Sequence, residues 1–115
     1  MLGTDFILDA LAAEGLDHLF MVPGGLVDPF LPALGRQTAL RPVVAAQEGG
    51  AAYMADGYAR ASGNFGAALV IGGPGLANTA TALQAARADG SPVLLLSGEG
   101  ATAVEGLGMF QDASA

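Results

Sequence analysis

The sequence has no cysteine, no tryptophan and no lysine, and one histidine in 115 residues. Without cysteine there are no disulfides, no thiol catalysis and no thiolate metal sites. One histidine excludes a multi-histidine metal centre. The missing lysine excludes a P-loop, whose lysine reaches the phosphates, and Schiff-base chemistry. Charge is also scarce, at 13% of residues, and one-sided: four arginines face eleven acidic residues, for a net charge of -7. No basic stripe exists to neutralise phosphates, so nucleic acid is not an expected partner. Anionic membrane surfaces are disfavoured for the same reason. The longest apolar runs, such as Ala67 to Ile71 and Val93 to Leu96, fall far short of the ~20 residues of a membrane span. The first basic residue is Arg36, and Asp5 and Asp9 interrupt the early apolar stretch, so no leader is visible and the expected location is cytoplasmic.

Against these absences stand 52% hydrophobic residues, 18 glycines and a mean hydropathy of +0.50. That composition excludes intrinsic disorder, and the length suits one domain, spanning 1–115. A free-standing domain usually carries about a quarter charged residues, so part of this surface is expected to lie against something else.

Four continuous apolar runs recur, starting at Leu19, Val43, Ala67 and Val93, 24, 24 and 26 residues apart. Continuous rather than alternating runs are how strands covered on both faces read. Glycine follows each, at Gly24-Gly25, Gly49-Gly50, Gly72-Gly73 and Gly98. Helical segments lie between, and the rhythm predicts an α/β fold: an open parallel sheet with helices on both faces. A first helix is expected over about Asp5 to Glu14, with Thr4 as N-cap, Gly15 as a left-handed stop and Leu16 closing on Leu11. A short one is expected around Leu26 to Leu34, limited by Pro29 and Pro32. A third should cover about Gly49 to Ser62, with Ala51, Met54, Ala55, Tyr58 and Ala59 on one face and an Asp56/Arg60 pair on the other. Gly57 inside it costs on the order of 1 kcal/mol against alanine, which predicts a close backbone approach there. The fourth should run from about Leu76 to Ala88, with Arg87 against its C-terminal dipole. After Gly98 no element is completed, so the sheet is expected to be C-terminally incomplete.

In open parallel sheets ligands bind at the carboxyl ends of the strands. Three of those ends are almost wholly backbone, at Pro23-Gly24-Gly25, Gly72-Gly73-Pro74-Gly75 and Ser97-Gly98-Glu99-Gly100, and can approach a ligand closely. Glu48 is the exception, a carboxylate ending an apolar strand. Partly withdrawn from water, it is suited to proton exchange with a heterocycle; equally, it could do no more than satisfy a helix dipole. The Gly73 to Asn78 and Gly98 to Ala103 stretches resemble nucleotide fingerprints only weakly. His18 reads as a surface residue, Met21, Met54 and Phe65 as core, and Asp28 and Asp112 as loop charges.

Four segments occur in order with consistent separations: Phe20 to Gly25, Gln47 to Arg60, Gly73-Pro74-Gly75 with Asn78, and Ser91 to Gly98. Together they resemble the N-terminal pyrimidine-binding domain of the thiamine-diphosphate enzymes, on the acetolactate synthase branch. The stretch from Glu48 to Arg60 is the most specific. The resemblance implies that Glu48 is catalytic, bonding N1′ of the cofactor's aminopyrimidine so that the C2 proton can leave. It implies that Gly73, Pro74, Gly75 and Asn78 bind the thiamine diphosphate, and that Gly25, Phe110 and Gln111 lie on the substrate side. It assigns the diphosphate and Mg²⁺ to a separate domain of the same or a partner chain, with no metal ligand here. The scaffold is compatible with FAD, which no residue here indicates.

The implied activity is decarboxylation of a 2-keto acid and ligation of the product to a second carbonyl, in a homo-oligomer. A 2-keto acid decarboxylase, an acyltransferase, or a non-catalytic fragment supplying only an interface are the alternatives on this frame. The chain departs from the family pattern at Gln47 and Gly49, where members often carry His and Gln. It also departs at Gly72, where the usual Thr-Ser before the Gly-Pro-Gly turn is replaced in part, and at Glu99, which stands where Gln is usual.

Overall fold

Each apolar run becomes a parallel strand: β1 is His18–Met21, β2 Arg41–Val44, β3 Gly66–Ile71 and β4 Val93–Gly98. The computed structural model describes residues 1–105, 107, 110 and 111. Strand order is β2-β1-β3-β4 and every pairing is parallel. The helices are α1 (Gly3–Ala13), α2 (Phe30–Arg36), α3 (Glu48–Ser62), α4 (Pro74–Asn78) and α5 (Ala80–Asp89), followed by a 3₁₀ turn at Thr102–Val104. Leu19, Met21, Ala67 and Leu69 face one core with Leu8 and Leu11 of α1 and Ala33 and Leu34 of α2. Phe20 and Ala68 face the other, with Ala51 and Ala55 of α3. The alternation along β1 and β3 thus sends apolar side chains to both faces, and both are covered, as the continuous runs predict; β2 and β4, read the same way, lie at the sheet edges and have no buried residue, with Val44 and Leu94 exposed.

Local signals explain the helix ends. The amide of Leu16 reaches the carbonyl of Leu11 at 3.1 Å and that of Gly15 reaches Ala12 at 3.0 Å, with Gly15 at φ +88°. This is the expected Schellman ending. At the other end, Thr4 is not the cap: α1 begins at Gly3, and the amide of Leu2 donates to the Asp5 carboxylate at 3.1 Å. α2 starts later than expected because Pro29 occupies its N-cap and Pro32 its first turn, where missing amides cost nothing. β2 begins two residues before the apolar run. The single helix expected over 76–88 is broken at Thr79, whose hydroxyl donates to the Leu76 carbonyl at 2.6 Å.

Close packing between α3 and the sheet falls on a different glycine from the one expected. Nothing lies within 4 Å of a Cβ built on Gly57, whereas one on Gly66 would overlap the Ala55 carbonyl. α3 therefore lies backbone to backbone on β3, with Ala51, Ala55 and Ala59 as its buried face. Met54, expected in the core, is 42% exposed. The Asp56/Arg60 pair forms at 2.9 Å, but Asp56 is buried rather than on a solvent face. Arg60 also donates to Asp89 at 2.9 Å and so ties α3 to α5. Asp28 is exposed as expected, and Asp112 lies outside the described residues.

The Arg60 guanidinium holds the Asp56 carboxyl below its usual value of 3.8. A carboxyl depressed in the folded state contributes stability above the unfolded pKa and loses it as pH falls through the folded one. Asp56→Asn should therefore lower the thermal midpoint at pH 5–7, roughly the plateau of that contribution. The gap to the parent should close as pH falls below 3.8. Thermal melts across pH check this; a gap independent of pH would refute it.

Candidate functional site

The order β2-β1-β3-β4 reverses direction between β1 and β3. In sheets of this kind a crevice opens at that point, outside the carboxyl ends of the two strands. Here the ends meet through backbone. A Cβ on Gly24 would stand 2.9 Å from Ile71 Cγ2, and one on Gly72 would stand 2.5 Å from the Gly98 carbonyl oxygen and 2.6 Å from that of Gln111. Gly98 is as close to the carbonyl of Leu26. Gly73 turns at φ +60°, open to glycine at little cost, and a Cβ on it would run into the Phe110 carbonyl and stand 2.8 Å from the Cα of Gln111. The segment 110–111 is thus laid over the turn that starts α4, and Pro74 is the first residue of that helix.

Glu48 is the first residue of α3 and half-buried. Gln47 precedes it as N-cap, its side-chain oxygen accepting from the Gly50 amide at 3.2 Å. The Glu48 carboxylate accepts from the Asn78 side chain, Nδ2 to Oε2, at 3.0 Å. Its other oxygen, Oε1, lies 3.5 Å from where a Cβ on Gly75 would stand. A Cβ on Gly49 would meet the Asn78 carbonyl at 2.9 Å and Gln47 Oε1 at 2.8 Å. The end of α4 is therefore seated on the start of α3. The structure gathers Glu48, Gly73, Pro74, Gly75 and Asn78 around these two helix ends. Phe110 and Gln111 lie beside Gly73, and both line a cavity of about 290 Å³ with Leu26, Gly100, Ala101 and Val104. Gly25 is exposed, with nothing within 4 Å of its Cβ position, and is not drawn into these contacts. Sequence reasoning passed over Gln47 as a cap, Gly49 as a contact point and Leu26 as cavity wall. The position of Gln47 just before a helix start was the available signal.

A cavity of about 270 Å³ between α1 and α2, beside the Asp5–Arg36 pair, touches none of the candidate residues. His18 sits at the opposite end of β1, with Nδ1 2.7 Å from Asp17 Oδ1, and the same oxygen accepts from the Tyr58 hydroxyl at 2.6 Å. Those two bonds hold the Asp17 carboxyl below its ordinary value, Tyr58 contributing most. Among the described residues no three His, Cys, Asp or Glu side chains are grouped to hold a metal, and no helix is long and apolar enough to cross a membrane.

A family profile described as "Thiamine pyrophosphate enzyme, N-terminal TPP binding domain" matches residues 1–115. A probable acetolactate synthase large subunit of Methanocaldococcus jannaschii is 41% identical over 115 residues, all of this chain and 19% of that protein. The mitochondrial acetolactate synthase catalytic subunit of Aspergillus candidus is 38% identical over 96% of this chain and 16% of its own length. A 2-hydroxyacyl-CoA lyase 2 of Xenopus laevis is 39% identical over 96% of this chain and 17% of its own. The chain thus spans less than a fifth of the length of these relatives.

The seat of α4 on α3 gives a paired test. Gly49→Ala should lower stability by about 1–3 kcal/mol, because its methyl group meets the Asn78 backbone and the Gln47 cap. Gly25→Ala, with open space around it, should change stability by less than about 1 kcal/mol. Denaturant titration of both variants checks the contrast; equal losses would refute the close seat.

Proposed function

The chain belongs to the thiamine pyrophosphate enzymes as an N-terminal, acetolactate synthase-like TPP-binding domain, and on that premise we propose that Glu48 is its proton-handling residue. The observation that carries this reading is the carboxylate itself: Oε2 is held by Asn78, and Oε1 lies beside glycine. The residues present fit a flat heterocycle. The turn from Gly73 to Gly75 presents main chain to the neighbourhood of Glu48, and the carboxylate can accept from a ring N–H.

When bound, thiamine diphosphate supplies a nucleophilic carbon and an electron sink for breaking the bond next to a carbonyl. Glu48 Oε1 holds and returns a proton at the pyrimidine. Gly73, Pro74 and Gly75 form the surface against which the pyrimidine lies, and Asn78 borders it. Gly25, Phe110 and Gln111 form the substrate side, supported for the last two by the cavity they line with Leu26. The diphosphate and its Mg²⁺ fall to another domain, in keeping with a chain that has no lysine and a net charge of -7. The complete enzyme decarboxylates a 2-keto acid and joins the product to a second carbonyl. A second reading, cleavage or transfer of an acyl group on the same frame, is favoured by the 2-hydroxyacyl-CoA lyase likeness. Product analysis with pyruvate, set against a 2-hydroxyacyl-CoA, separates the two.

Homo-oligomerisation belongs to the same reading. α3 exposes Tyr53 and Met54 next to the open Gly57, an apolar strip without a covering element among the described residues. Gly57→Leu should weaken association of the full-length enzyme, read by sedimentation; an unchanged oligomer would count against that face. For the site, Glu48→Gln keeps side-chain volume but removes the anionic acceptor. Exchange of the C2 proton of bound cofactor, followed by NMR, should slow about 10²–10⁴-fold. Cofactor binding should change far less. Near-parental exchange would remove Glu48 from the chemistry.

A further inference from the structure

The Asn78 side chain is expected from resemblance to border the cofactor, but its contact in the structure is with Glu48. Three local features bring it there. Pro74 and Gly75 pin the start of α4 onto the end of β3, where a Cβ on Gly75 would stand 2.5 Å from Ile71 Cγ1. Thr79, fully buried, bonds back to Leu76 and ends the helix at Asn78. Gly49 then admits the Asn78 carbonyl against the first turn of α3. The main chain of Asn78 is thus located independently of its side chain, and the amide is delivered to Glu48 Oε2 at 3.0 Å. An ionised carboxylate only accepts, so the amide must present its N–H₂.

Resting on the assignment of Glu48 above, we propose that Asn78 is a positioning residue: it acts on the ligand through Glu48, by occupying Oε2 and fixing the carboxylate so that Oε1 alone is presented beside Gly75. A carboxylate with both oxygens free would rotate and divide its time between two orientations, only one of which serves a ring held against Gly75. The Gly49 contact gives this chain its particular form of the device. Any side chain at 49 would bring a Cβ to 2.9 Å from the Asn78 carbonyl oxygen, closer than the two could stand without shifting.

Two substitutions in the full-length enzyme test this, one by charge and one by deletion. Asn78→Asp keeps size and shape but puts a second carboxylate against Glu48, and two adjacent carboxylates resist double ionisation. Its raised carboxyl pKa means that stability is present below the unfolded pKa and lost as pH rises through the folded one. Without cofactor, its thermal midpoint should match the parent near pH 4 and fall progressively below it toward pH 8, roughly the span over which such a pair loses its shared proton. With cofactor, C2 exchange should be slow at pH 8 and recover toward acid, where the shared proton restores a donor to Glu48. Asn78→Ala should slow exchange about 10–100-fold at every pH, with little change in cofactor affinity. A purely structural role for Asn78 would give neither the pH-dependent midpoint nor the acid recovery. If Glu48→Gln is slow while both Asn78 variants keep parental exchange and a parental pH profile, the positioning role is overturned. If Glu48→Gln itself exchanges normally, the assignment of Glu48 falls first.

Discussion

The contact of α3 with β3 at Gly66 governs where the rest of this molecule stands. Because a Cβ there would overlap the Ala55 carbonyl, helix and strand meet through main chain, with alanine on either side. The helix is drawn nearer the sheet than leucine packing would allow, and Glu48 in its first turn stands beside Gly75, four residues beyond the end of β3. Glu48 inherits its location from that distance. Arg60, bridging Asp56 and Asp89, ties α3 to α5, the helix that follows α4 directly in the chain.

The strand ends show the same economy. Gly72 against Gly98, Gly98 against Leu26 and Gly73 under residue 110 form a chain of contacts in which each glycine makes room for its neighbour's backbone, while Gly24 makes room for the Ile71 side chain. Loops that pack this way carry amide groups rather than side chains to the crevice. Such a surface is shaped and largely uncharged, and a single carboxylate placed in it dominates the local chemistry. In a chain so poor in positive charge, that arrangement suits recognition of a ring better than capture of a phosphate.

Much of this was legible in the residues. Continuous apolar runs reported the parallel strands, though only the central β1 and β3 are covered on both sides, and Gly15 with Leu16 reported the end of α1 down to its hydrogen bonds. Glu48 stood out as a carboxylate placed at the end of an apolar strand. The misplaced readings of Gly57 and Met54 share a physical cause, since they depended on neighbours distant in sequence. Gly57 and Gly66 look alike in a helical or strand pattern, and only the tertiary approach of α3 tells which one is needed. Met54 fits the apolar stripe of its helix, yet the alanine face turned inward instead because alanine alone permits the close seat. Thr79 carries no local signal strong enough to stop a helix rich in alanine; its burial and its bond to Leu76 do so. The link between Asn78 and Glu48, thirty positions apart, has no expression in either one's immediate sequence.

The two faces of the sheet are built on different terms. One is filled by leucine, methionine and phenylalanine from α1, α2 and the strands; the other has alanine where α3 meets the sheet, at Ala51, Ala55 and Ala68 beside Phe20, with larger side chains such as Val43 and Leu95 only partly buried around it. Large side chains can be exchanged for others of similar volume at modest cost, while a methyl group cannot be enlarged where backbones already touch. A survey of tolerated substitutions would accordingly divide along the plane of the sheet. Variation would accumulate on the leucine side, and the side leading to Glu48 would remain almost fixed in size. Drift in sequence would thus be channelled away from the crevice by packing alone, before any selection on chemistry acts.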